Sequence, residues 1–144
     1  MNAPLMKVTS FRAVALGTIL ASSLIFNAAA YAAEEVVTQV QIPATSADIW
    51  RSIDKETAIL DTLIRTGKLG ELHHHAFAIR DLVKALPSRS GTLPAEKMAQ
   101  IKTASKYVAT LAERLDAAGD ANDKAASASN LRKLKGLLNG IRAD

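Results

Sequence analysis

The chain has 144 residues, with 18 Lys and Arg against 14 Asp and Glu, a net charge of +4, three histidines and no cysteine. The absence of cysteine excludes disulfides, thiolate metal sites, C-x-x-C-H haem attachment and a cysteine nucleophile. The mild basic excess and the few aromatic residues make neither an electrostatic footprint nor a stacking platform for nucleic acid.

The first 32 residues read as an export signal. Lys7 and Arg12 form a short basic region, Ala13–Phe26 is an apolar run too short for a membrane span, and Ala30-Tyr31-Ala32 offers a cleavage site. Removal after Ala32 takes two cations, lowers the net charge to +2 and leaves 112 residues, one domain's worth. No stable membrane insertion is expected after cleavage. Residues 33–44 (AEEVVTQVQIPA) are β-branched and end at Pro43, which predicts an extended arm before a helical domain over residues 45–144.

Four helices follow. Thr45 or Ser46 caps the first, and Trp50, Ile53, Thr57, Leu60 and Ile64 recur at steps of three and four until Gly67. The stretch Gly70–Pro87 (GELHHHAFAIRDLVKALP) is the second. Leu69, Leu72, Ala76, Ile79, Val83 and Leu86 keep a seven-residue repeat, and Pro87 is expected to end it. Thr92 and Pro94 open the third, whose stripe is Met98, Ile101, Ser105, Val108, Ala112 and Leu115, with Gly119 as its stop. The fourth starts after Asp120–Asp123 and carries Leu131, Leu134, Leu138 and Ile141. Short links between helices of similar length predict an all-α, antiparallel up-down-up-down four-helix bundle.

No chemistry-bearing motif accompanies this pattern. Ser and His occur without a G-x-S-x-G turn, and there is neither a P-loop nor a G-x-G-x-x-G. A non-catalytic protein is expected. A His/Met haem is not, because Met98 falls opposite Leu82, about 13 Å along the axis from His73.

The histidines carry what functional signal there is. Neighbours on a helix turn by 100°, so His73, His74 and His75 cannot share a face. On the heptad His74 points to solvent, while His73 and His75 flank the apolar seam on opposite sides. A metal site therefore needs ligands from another helix. Bundle geometry brings Asp61, Asp116, Asp120 and Asp123 to the same end as His73 and His75, a set suited to Zn²⁺, Cu²⁺ or Ni²⁺. The alternative is structural: edge histidines make hydrogen bonds, and aspartates near helix starts cap them. Glu56, on the edge of the first helix, pairs across Gly67 with Arg80 on this register.

The runs Ile53–Lys55 (IDK), Gly67–His73 (GKLGELH), Ala76–Pro87 (AFAIRDLVKALP) and Lys106–Asp120 (KYVATLAERLDAAGD) resemble small exported helical proteins of Gram-negative bacteria that are often encoded beside heavy-metal efflux systems. The resemblance implies a periplasmic location, a link to metal resistance and metal-efflux components as partners. His73 is the position it carries over most readily. Two functions stay open: binding or sensing of divalent metal, or a protein-interaction module with structural histidines. An exposed apolar groove beside the fourth helix, where small residues dominate, would favour the second.

Overall fold

The computed structural model describes residues 40–91 and 93–142. The proposed signal peptide, most of the arm (residues 33–39) and the Thr92 cap lie outside the described residues. What is described is all-helical. Helix α1 runs over Ser46–Thr66, a 3-10 turn over Leu69–Glu71, α2 over Leu72–Arg89, α3 over Ala95–Asp120 and α4 over Lys124–Arg142. Among the described residues there is no strand, and no helix is long and apolar enough to cross a membrane.

Local chemistry explains the helix ends. The Thr45 hydroxyl accepts from the Asp48 amide at 3.1 Å and so caps α1. Gly67 closes it in the left-handed conformation at φ 78°, while Gly67 N–H donates to Ile64 O and Lys68 N–H to Leu63 O. These two bonds satisfy carbonyls that the last turn would otherwise leave orphaned. The same pair of bonds recurs after α3, where Asn122 N–H donates to Gly119 O and Asp123 N–H to Ala118 O. Asn122, at φ 51°, takes the left-handed place there.

Two expected stops are therefore corrected. Gly119 does not end α3. It lies buried inside the last turn, and Asn122 makes the turn instead. Pro87 does not end α2, which continues to Arg89. Proline removes one donor, and with less than a turn remaining the helix loses only the bond to Val83 O before it stops anyway.

The heptad positions of α2 all enter the core, together with Leu82, which the repeat did not include. α2 packs most extensively on α3 and α1, and α3 on α4, while the α1–α4 seam is the thinnest. Polar links close that seam. Lys124 Nζ reaches Arg65 O at 2.8 Å, Lys135 Nζ reaches Asp61 at 3.0 Å, and Arg142 Nη2 reaches Asp54 at 2.7 Å. The start of α4 thus meets the end of α1, and its end meets the start of α1. Val40 and Ile42, the described end of the arm, pack partly buried against the core beside Lys84 and Ala85.

Candidate functional site

The 3-10 turn and the first turn of α2 set the histidines in place. His74 is exposed, while His73 and His75 are half-buried, as their heptad positions require. His73 Nδ1 donates to Gly70 O at 3.1 Å, a local bond that ties the ring to the turn before it. Its ring centroid lies 3.6 Å from that of His74. His75 Nδ1 lies 2.6 Å from Glu56 Oε2 on α1. An ionised carboxylate has only acceptors, so the imidazole donates.

Glu56 was expected to face Arg80. It faces His75, five residues earlier, because the link between α1 and α2 contains a turn of 3-10 helix. Register across such a link cannot be read from Gly67 as a pivot. Arg80 instead donates to its neighbour Asp81 from Nε at 2.8 Å and Nη2 at 3.2 Å, with its guanidinium 4.6 Å from the Phe77 ring centre. Those bonds to Asp81 raise the Arg80 pKa, with lesser help from the charges of Asp81 and Glu113 and against a desolvation cost.

The aspartates do other work. Asp61 holds Lys135 of α4. Asp123 Oδ1 accepts from Ala126 N–H at 2.9 Å and caps α4. Asp120 is exposed at the end of α3, and Asp116 sits half-buried on the same helix. Of the six expected ligands, His73, His75, Asp61, Asp116, Asp120 and Asp123, four bond elsewhere: His73 to Gly70, His75 to Glu56, Asp61 to Lys135 and Asp123 to Ala126. Among the described residues no group of three or more His, Asp or Glu side chains is placed to hold a metal ion. Which way each side chain turns depends on its nearest partner, and that is a matter of tertiary packing.

The Glu56–His75 pair is the one functional-looking contact between helices at this end. The side chains retain 17% and 26% of their exposure, so water screens the pair in part. Glu56→Gln and His75→Gln, combined in a double-mutant cycle by urea unfolding, should show a coupling of about 1 kcal/mol. His73→Gln should show no coupling with Glu56→Gln.

A second surface was anticipated only as a discriminating observation. Between α3 and α4 runs an open groove of about 450 Å³, lined by Glu96, Thr103, Ala104, Tyr107, Leu137 and Gly140 among others. Tyr107 is 61% exposed there, the one large apolar side chain left in water among the described residues. Ala104 and Gly140 contribute little side chain to the groove, and half-buried Leu137 lines it with apolar surface. α4 carries five Lys and Arg and no Asp or Glu. Three of the five bond to α1. Arg132 and Lys133 are exposed.

Among the described residues, fold and site define four helices, with His73 and His75 tied into their hydrogen bonding and an apolar groove left open. No family model, curated protein or solved structure matches the chain.

Proposed function

We propose that this protein is an exported, non-catalytic helical module that docks an amphipathic helix of a partner protein in the α3–α4 groove. The helices form an antiparallel up-down-up-down bundle, a reading supported by the pairing of each end of α4 with the opposite end of α1. The observation that carries the proposal is the groove itself. An apolar strip with an exposed tyrosine and small residues on its walls suits a helix laid across it. Arg132 and Lys133, the exposed cations of α4 that do not bond to α1, suit a partner helix with acidic residues beside its apolar face. Periplasmic location and a place beside metal-efflux components follow from the sequence resemblance.

A photo-crosslinking residue at Thr103 should capture one protein, and the same residue at exposed Glu71 should not. The captured protein, purified, should bind with a micromolar Kd that Leu137→Glu weakens at least tenfold. A crosslink equally strong from Glu71, or binding indifferent to Leu137→Glu, would sink the groove reading.

One observation favours a second reading, metal binding. By donating from Nδ1 to Glu56, neutral His75 keeps the Nε2 lone pair that imidazole offers to metals, and a carboxylate in that place commonly orients a metal-bound histidine. Calorimetry of the tag-free chain with Zn²⁺, Cu²⁺ and Ni²⁺ decides between them. Saturable heat that His75→Ala removes would establish the metal site. A flat titration leaves the histidines as structural residues.

A further inference from the structure

The groove does not simply open into solvent at the far end of α4. Ile141 lines the groove on one side and, on the other, a more enclosed hollow of about 240 Å³ at the end of the molecule. That hollow is bordered by Trp50, Arg89, Lys97, Ile101 and Arg142, and among the described residues no acidic side chain lines it. Its charge is not fully spent within the protein. Arg142 makes both of its bonds, to Trp50 O and to Asp54, through Nη2, and its guanidinium stacks on Trp50 at 4.4 Å. A guanidinium has five N–H donors, so Nε and Nη1 remain to meet a ligand. Arg89 is exposed in the last turn of α2. Ser46, the first residue of α1, also borders the hollow. The amides of a helix's first turn lack partners inside the helix and carry its positive pole. The nearest carboxylate on that turn, Asp48, is turned to Thr45 and Arg51.

We propose that this hollow is an anion subsite that takes the C-terminal carboxylate of the segment docked in the groove. The inference deepens the groove reading and rests on it for the segment that brings the carboxylate. A terminal carboxylate is preferred to an acidic side chain on size. The hollow, bordered by Ser90, Gly91 and Leu93 among others, has a volume of about 240 Å³, the size of a last residue. Guanidinium recognises a carboxylate through paired N–H donors, and a docked helix ending here adds the negative pole of its own dipole. Trp50 and Ile101 supply apolar contact for the last side chain. The resulting ligand class is a peptide whose free carboxyl end follows an apolar stretch.

Trp50 is the sole tryptophan, so its emission reports the subsite directly. The probes are acetyl-Ala-Leu-Ala-Leu with a free carboxylate, the same peptide as its C-terminal amide, acetyl-Ala-Leu-Ala-Glu-amide, and inorganic phosphate, each titrated into the tag-free chain. The free carboxylate peptide should change Trp50 emission saturably and bind at least tenfold tighter than either amide. Arg89→Gln, a substitution of an exposed residue, should weaken it at least fivefold with an unchanged circular dichroism spectrum. Equal binding of the carboxylate peptide and its amide would overturn the subsite. Equal binding of the Glu amide would overturn the terminal assignment. Phosphate that competes as well as the peptide would reduce the hollow to a general anion pocket and also overturn the proposal. The Thr103 crosslink separates the two readings. If it forms while no peptide moves Trp50, the groove stands and the subsite falls. If it fails while the carboxylate peptide binds, the groove reading falls and not the anion site.

Discussion

Leu134→Ala should cost about 3 kcal/mol of stability, and Leu137→Ala, three residues on in the same helix, well under about 1 kcal/mol. The two leucines have the same chemistry and the same helix propensity, so that part cancels between the variants. Leu134 is fully buried, and its truncation removes apolar contacts and leaves a cavity that the neighbouring helices cannot close. Leu137 is only half-buried and lines the open groove, so water fills the space its side chain vacates. For a domain of about 100 residues, 3 kcal/mol lowers the melting midpoint by roughly 12–24 °C. It is also a large share of the 5–15 kcal/mol that holds a typical domain together. Thermal and urea unfolding of both variants measure the difference. The functional order is the reverse: Leu137→Ala should weaken partner binding, and Leu134→Ala should leave affinity unchanged at temperatures where it is folded. Similar losses of stability from both would mean that Leu137 belongs to the core and that the groove is closed in solution.

Leucine spacing made most of this architecture legible. Positions three and four apart share a helix face, so the stripes of all four helices could be read without knowing what they pack against. Leu72, Ile79, Val83, Leu115 and Leu134 are buried for that reason. What could not be read was whatever depends on two segments at once. Glu56 finds His75 and not Arg80 because the 3-10 turn Leu69–Glu71 sets the register between α1 and α2. A 3-10 turn of three residues has no periodicity to announce it. Bundle geometry favoured a cluster of aspartates with the histidines, but Asp61 had a lysine waiting on α4, and Asp123 had its own helix to cap. The groove was named from the sequence only as an observation that would decide between two functions. Its basic hollow was not legible there, because Trp50, Arg89 and Arg142 come from three different helices.

Gly119→Ala should destabilise the protein by about 1–3 kcal/mol, even though alanine is the better helix former. Gly119 lies within α3, where replacing glycine ordinarily gains up to about 1 kcal/mol. Here a Cβ would lie 2.6 Å from Leu69 O and 3.6 Å from the Leu72 Cβ. The first of these is backbone, so no rotamer change relieves it. Either α3 or the 3-10 turn must shift, and the turn is what carries the chain into α2 and sets His73 and His75. The clash therefore outweighs the propensity gain. Gly136 and Gly140 are the internal controls. A Cβ at either meets nothing within 4 Å, so Gly136→Ala should stabilise by roughly 0.5–1 kcal/mol. Urea unfolding of the two single variants should move the midpoint in opposite directions. A stabilised Gly119→Ala would mean that the turn yields at little cost. In that case the Glu56–His75 register, which depends on the turn, would lose its coupling in the same variant. Retention of that coupling alongside lost stability would place the strain in α3 and leave the turn intact.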